Sequence, residues 1–136
     1  RTLDIRLDKH QQNANLIAKY LSKKKNIDVL YPINNNSQNF KFWKKYYSGA
    51  SGLMGIKIIS KNKKSVDKFV NSLKLFGHGY SWGGFESLAL HQEMREQGKR
   101  KYFKLNKNEY IVRLHIGLED PNDLIQDIDK SLNYLK

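Results

Sequence analysis

The sequence predicts an α+β domain, a small mixed, mainly antiparallel sheet of about four or five short strands covered by helices. Three observations carry this. Apolar residues recur at helical spacing at both ends of the chain, along Thr2–Lys24 and Pro121–Lys136. Between them, runs such as Leu53–Ile59 and Tyr110–Ile116 are short, apolar and rich in β-branched residues, as strands are. Polar or glycine-containing breaks separate the runs, at Asn34–Asn39, Gly49–Gly52 and Gly77–Gly84. A chain of 136 residues suits one domain with a real core, and 39 % hydrophobic content with tryptophan and tyrosine excludes a wholly disordered chain.

In the first helix, Thr2–Lys24, Leu3, Leu7, Ala14, Ile17, Ala18 and Leu21 form the apolar stripe, and a lysine cluster complements the negative terminus. His10 lies beside that stripe as a packed or half-exposed histidine. Ile27–Tyr31 reads as a strand stopped by Pro32, and Asn34–Asn39 as a turn-forming loop. In Phe40–Tyr47 the aromatics Phe42, Trp43, Tyr46 and Tyr47 have helical spacing among three lysines, which predicts a short helix docking its aromatic side on the core. The alternative is a stacking platform for single-stranded nucleic acid. Gly49–Gly52 links to the strand Leu53–Ile59. No P-loop lysine follows those glycines. Lys61–Lys64 reads as a charged turn, and a helix from Ser65 to Leu73 turns Val66, Phe69, Val70 and Leu73 inward. Leu75-Phe76 resumes strand character.

Gly77–His91, GHGYSWGGFESLALH, is one of two informative stretches. Its glycines free the backbone for close approach to a ligand, and Tyr80, Ser81 and Trp82 lie between them. The bland alternative is a glycine-rich hairpin with Trp82 in the core. Glu86–Leu90 is expected as the next strand. Gln92–Asn108, with Arg95, Lys99, Arg100, Lys101, Lys104 and Lys107, reads as a long mobile connection.

The other stretch is Tyr110–Asp123, YIVRLHIGLEDPND. Ile111, Val112, Leu114 and Ile116 surround Arg113 on a strand entering the core, and Gly117 breaks the run. Asp120 as N-cap, Pro121 at the first helical position and Asp123 at N3 then start the last helix, with Leu124, Ile125, Ile128, Leu132 and Leu135 on one face. A guanidinium there cannot lose its proton and needs an anion of matching geometry, for which a carboxylate is the natural partner. That carboxylate is either a structural Asp or Glu, or part of a ligand.

Several function classes are excluded or weakened. Without cysteine there is no disulfide framework, thiolate metal site or cysteine nucleophile, which fits an intracellular protein. No apolar run reaches the length of about 18 residues that a transmembrane helix needs, and no signal peptide is visible. The net charge of +12 raises nucleic acid or an anionic membrane as partners, but it is carried by scattered lysines beside abundant asparagine, like a compositional bias. His10, His78, His91 and His115 lack zinc-site spacing, Glu119-Asp120 reads as a helix start, and no hydrolase triad can be assembled. The residues offer binding groups (Arg113, Ser81, Tyr80, Trp82) without a complete catalytic set.

At those stretches the sequence resembles a known family. YSWGGFESL (Tyr80–Leu88) and RLHIGLEDPNDLI (Arg113–Ile125) look like the carboxy-terminal domain of the pyridoxal-phosphate enzymes of cysteine and methionine metabolism. RTLDIRLDKHQQNA (Arg1–Ala14) resembles the helix that leaves their large domain, and FWKKYYSGASGLMGIKI (Phe42–Ile58) fits as well. The resemblance covers essentially the whole chain. It implies the small C-terminal domain of the fold-type I transferase-like architecture, here residues 1–136, with residues 1–24 as the helix leaving the large domain. The chain opens at Arg1 inside that helix, which predicts a piece of something longer.

Trp82 after Ser81, and His115 in the LHIG run, resemble the cystathionine β-lyase branch; γ-synthases, γ-lyases and methionine γ-lyase are the alternative. The resemblance implies that Arg113 holds the substrate α-carboxylate and that Ser81 helps to position the catalytic lysine and the substrate. It also implies that Tyr80 and Trp82 line the pocket. The reaction implied turns cystathionine into homocysteine, pyruvate and ammonia with pyridoxal 5′-phosphate as electron sink. The Schiff-base lysine and phosphate-binding segment would belong to the large domain, so the piece alone is expected to be inert. The partners implied are a sulfur amino acid, the large domain and neighbouring subunits of a homotetramer, in the cytoplasm, with no nucleic acid and no membrane. The rival of another class is a basic nucleic-acid-binding module using Trp43, Tyr46, Tyr47 and the Arg95–Lys107 segment.

Overall fold

In a computed structural model that describes residues 1–35, 39–94 and 103–135, nine elements follow in chain order. They are α1 (Leu3–Leu21), β1 (Ile27–Leu30), α2 (Phe40–Tyr46), β2 (Leu53–Ile59), α3 (Lys63–Ser72), β3 (Gly77–His78), β4 (Leu88–Gln92), β5 (Glu109–His115) and α4 (Pro121–Ser131). A 3-10 turn, Leu132–Leu135, continues α4. The strands form one sheet in the order β1-β2-β5-β4-β3, antiparallel except that the short β3 runs parallel to β4. This is the mixed, mainly antiparallel α+β sheet expected.

The pleat sorts β5 into two sides. Val112, Leu114 and Ile116 are fully buried and join Ile17, Leu21, Ile56, Phe69, Leu124 and Ile128 in one core under the helices. Arg113 points the other way. It is directly opposite Gly55 of β2 and Leu90 of β4, both half-buried, so the central strand carries a guanidinium on the side away from the core. Its neighbour Gly55 leaves room that Leu30 fills, with Leu30 side-chain atoms 3.5 Å from where a Cβ would stand.

Helix starts follow local chemistry. Asp120 caps α4 as expected, its Oδ1 accepting from the Asn122 N–H at 2.7 Å with Pro121 beside it. α3 begins at Lys63 and not Ser65, because the Asn62 side chain accepts from the Ser65 N–H at 3.0 Å and turns the charged Lys61–Lys64 segment into a capped start. α1 stops at Leu21, before the lysine cluster. Lys24 is drawn to Asp129 of α4 at 2.8 Å.

Two strands start later than the apolar pattern suggests. The Lys74 and Leu75 N–H groups bond the buried Asp127 carboxylate at 2.9–3.0 Å, so sheet pairing waits until Gly77. Ser87 gives its N–H to Glu119 at 2.7 Å, and β4 begins at Leu88 and not Glu86. α2 is helical, but its aromatic side is not on the core. Phe42, Tyr46 and Tyr47 are exposed, α2 buries no residue, and Trp43 with Phe42 and Tyr47 lines an open cleft of about 420 Å³ above Tyr31. Within the connection before β5, Arg95, Lys99, Arg100 and Lys101 lie outside the described residues, as does Asn36 of the polar loop. Among the described residues no helix is long and apolar enough to cross a membrane.

Candidate functional site

Arg113 reaches from β5 to the loop Gly79–Phe85, and there its Nη2 donates to three consecutive carbonyls. Gly79 is at 3.3 Å and Ser81 at 3.0 Å, with the Tyr80 carbonyl between them. The guanidinium carbon lies 5.8 Å from the centre of the Tyr80 ring, in cation–π range. No carboxylate among the described residues pairs with Arg113, so none of their Asp or Glu side chains is its structural partner. Nη1 and Nε have no protein acceptor among those residues, so N–H donors on both sides of the occupied Nη2 stay open to an anion.

The loop presents its side chains outward. Tyr80 is 71 % exposed and Trp82 62 %, which overturns the hairpin alternative with Trp82 in the core. Ser81 is exposed too, with its carbonyl held by Arg113. The structure thus brings Arg113 together with the backbone of Gly79, Tyr80 and Ser81, while Trp82 stands one residue further along the same loop.

Sequence reasoning missed what supports this loop from behind. His10 and His115 are each 1 % exposed and meet edge to face, their ring centres 4.9 Å apart. The Gly83 N–H donates to His115 Nε2 at 3.1 Å, and His10 Nε2 donates to the Gly84 carbonyl at 2.9 Å. Gly83 takes φ +79°, a backbone conformation suited to glycine. His10 lies on the apolar stripe and not beside it, since the positions 3, 7, 10, 14, 17 and 21 follow helical spacing without a gap. That spacing was the available signal. Burial holds the His115 imidazole below the usual histidine range, helped by the neighbouring His10 and Arg113 and opposed by the Gly84 carbonyl and Glu119.

Glu119 has a second role besides adjoining the helix start. Its carboxylate accepts from the Ser87 N–H at 2.7 Å and the Ser87 hydroxyl at 2.8 Å, while Ser87 Oγ accepts from the Gly117 N–H at 2.8 Å. Asn13 of α1 donates to the carbonyls of Gly117 and Glu119 at 3.0 and 2.9 Å. These bonds tie the later end of the loop, at Ser87, to the turn after β5, and that turn to α1. Among the described residues no group of three His, Cys, Asp or Glu could hold a metal ion.

A profile of the family described as Cys/Met metabolism PLP-dependent enzyme matches residues 1–133. The chain is 35 % identical over 132 residues to the cystathionine β-lyase MetC of Escherichia coli, covering 95 % of this chain and 33 % of that protein. It is 37 % identical over 134 residues to the L-alanine/L-glutamate racemase of Wolbachia pipientis wMel, covering 97 % of this chain and 33 % of that one. A crystal structure of cystathionine γ-synthase from Xanthomonas oryzae pv. oryzae, in complex with aminoacrylate and cysteine, superposes with a TM-score of 0.83 at 27 % identity, covering 99 % of this chain and 36 % of the other. The chain thus spans about a third (33 %) of the length of the curated relatives it matches.

Proposed function

The chain belongs to the Cys/Met metabolism PLP-dependent enzyme family, and on that premise we propose that it is the carboxy-terminal, substrate-recognising domain of a pyridoxal-phosphate-dependent carbon–sulfur lyase. The parent reaction is the hydrolytic β-elimination of cystathionine to homocysteine, pyruvate and ammonia. The observation that carries this is Arg113, a guanidinium on the central strand with its Nη2 held by loop carbonyls and its Nη1 and Nε donors open. A substrate α-carboxylate can accept charge-assisted bonds from those donors, and it gains the parallel pair of a fork when Nη2 turns from a loop carbonyl to the ligand. Fixing one end of an amino acid this way orients its Cα–H and Cβ–S bonds for the reacting groups. Tyr80 and Trp82 flank the anchor as exposed rings on which the remainder of the substrate can pack. Trp82 next to Ser81 supports β- over γ-elimination, through the resemblance to the β-lyase branch.

Pyridoxal phosphate needs a lysine for its aldehyde carbon and a cradle for its phosphate. The described residues do not build that site by themselves. Every described lysine is exposed except the half-buried Lys24 and Lys57, and these are ion-paired to Asp129 and to Asp28 and Glu109. The proposed division of labour follows: this domain recognises the substrate, Ser81 assists in positioning, and the remainder of the enzyme and its neighbouring subunits hold the cofactor. Residues 1–136 alone then release no pyruvate from cystathionine.

The test uses the full-length enzyme. With the wild type, cofactor absorbance and pyruvate release from cystathionine are expected; with Arg113→Ala, the absorbance persists and pyruvate release is lost. Retained pyruvate release in Arg113→Ala would overturn the anchor. Formation of D-amino acid without pyruvate would move the reaction to the racemase seen among the relatives.

A further inference from the structure

We propose that His10 and His115 are positioning residues for the substrate loop: they hold the Gly83–Gly84 peptide so that Ser81 and Trp82 stay registered against the Arg113 guanidinium. This deepens the reading above and rests on it for the identity of the substrate.

The partners of the two rings differ in kind. A carbonyl only accepts, so His10, 2.9 Å from the Gly84 oxygen, carries its proton on Nε2. A peptide N–H only donates, so toward the Gly83 nitrogen at 3.1 Å His115 Nε2 acts as acceptor, with the Gly84 carbonyl further off at 3.4 Å. The two rings therefore read the two polar groups that flank this peptide, one as donor and one as acceptor. The arrangement carries a cost, because both Nδ1 atoms are buried without a partner among the described residues. Apolar side chains would fill the same space without that cost. Space-filling alone does not account for the pair, whereas holding a loop backbone does.

Position adds a second argument. His115 follows Arg113 by two residues on β5, so both point to the same side of the sheet. One strand thus grips the loop twice, through the carbonyls of Gly79, Tyr80 and Ser81 and through the N–H of Gly83. Trp82 lies between the two grips. Gly52 leaves room for the ring, since a Cβ there would come within 3.2 Å of it and 2.2 Å of the Ile116 carbonyl oxygen.

The experiment compares His115→Leu and His10→Leu with His115→Gln and His10→Gln in the full-length enzyme. Glutamine keeps a hydrogen-bonding group near the Nε2 position and leucine does not. Deuterium exchange of the peptide spanning residues 79–85 is expected to speed up about tenfold in the leucine variants and to return near wild type with glutamine, as for the loss and recovery of one hydrogen bond. KM for cystathionine should rise in step, with cofactor absorbance unchanged. Should His115→Leu not accumulate, His10→Leu decides by the same readouts. Unaltered exchange in the leucine variants, or faster exchange with an unaltered KM, overturns the proposal. A wild-type enzyme that does not turn over cystathionine would overturn the substrate reading instead, and the exchange result would still decide the clamp.

Discussion

Two segments of this molecule expose aromatic rings to a similar degree and are held in very different ways. In the loop Gly79–Phe85, Tyr80, Trp82 and Phe85 are 71 %, 62 % and 72 % exposed; in and after α2, Phe42, Tyr46 and Tyr47 are 63 %, 65 % and 67 % exposed. The loop is gripped by Arg113, His115 and His10, from two different elements. The α2 segment has the Trp43 indole on the Gly49 carbonyl at 3.1 Å, and Gln11 on the Ala50 N–H. Exposed aromatic area is therefore a poor marker of a site by itself. Convergent, buried polar support is the better one, because ordering a loop has an entropic cost that those bonds must offset.

The largest effect that can break this contrast is at Arg113. Arg113→Ala removes a charge-assisted anchor and the grip on three carbonyls together, and kcat/KM for cystathionine in the full-length enzyme should fall by about 100-fold or more. Arg113→Lys keeps the charge but not the fork, and should recover only a small part of that. A lysine variant with near-normal kcat/KM would mean that the anchor works by charge alone, and the geometric reading of the loop would fail.

Glycine substitutions sharpen the comparison one step down. At Gly117 an added Cβ would lie 2.3 Å from the Phe85 carbonyl oxygen and 2.5 Å from a Glu119 carboxylate oxygen. Backbone cannot yield as a flexible side chain can, so Gly117→Ala should destabilise by about 2–3 kcal/mol in a denaturant melt. At Gly84 nothing lies within 4 Å, and at Gly49 the nearest atom is the end of the Gln11 side chain at 3.0 Å. Both alanine variants there should stay within about 0.5–1 kcal/mol of wild type. A Gly117→Ala as mild as Gly84→Ala would show that the loop's far end is not seated on β5.

Acid tests the histidine grip. Burial, with His10 and Arg113 nearby, favours neutral His115 in the fold against the pull of the Gly84 carbonyl and Glu119. The contribution to stability is then complete above the ordinary histidine value of about 6.5 and is lost as pH falls through the lowered value in the fold. Between about pH 6.5 and pH 5, wild type should lose stability more steeply than His115→Gln, by at most about 1.4 kcal/mol per pH unit for one proton. Parallel stability curves would mean that neutral His115 contributes nothing to holding Gly83.

How much of this was legible depends on whether a residue's partner lies nearby in the chain. The Asp120 cap, the strand around Arg113, the stripe of α4 and that of α1 from Ala14 to Leu21 use periodicity and capping, which are local, and they stand where expected, whereas Leu3 at the start of α1 is exposed. The late starts of β3 and β4 were not legible, because Asp127 and Glu119 are about 50 and about 30 residues from the N–H groups they take. Arg113 was singled out as an arginine needing an anion, yet its observed partners are carbonyls 32 to 34 positions away, which no local pattern encodes. His10 was legible in principle from its place on the stripe. Its partner, the Gly84 carbonyl, is 74 positions away and was not.

The smallest expected effect bears on the other side of the contrast. Tyr46 is 65 % exposed, Lys45 lies 5.1 Å from its ring centre, and no residue of α2 is buried. An exposed cation–π contact contributes about 0.5–1 kcal/mol at most, and surface truncations usually cost less. Tyr46→Ala should therefore move stability by under about 0.5 kcal/mol and leave kcat/KM for cystathionine within about twofold. A large loss of activity without a loss of stability would place α2 in the substrate path, and the buried polar support behind Gly79–Phe85 would no longer distinguish the two segments. A loss of subunit association instead would make the aromatic face of α2 a contact between subunits, where rings left open in one chain are covered by the next.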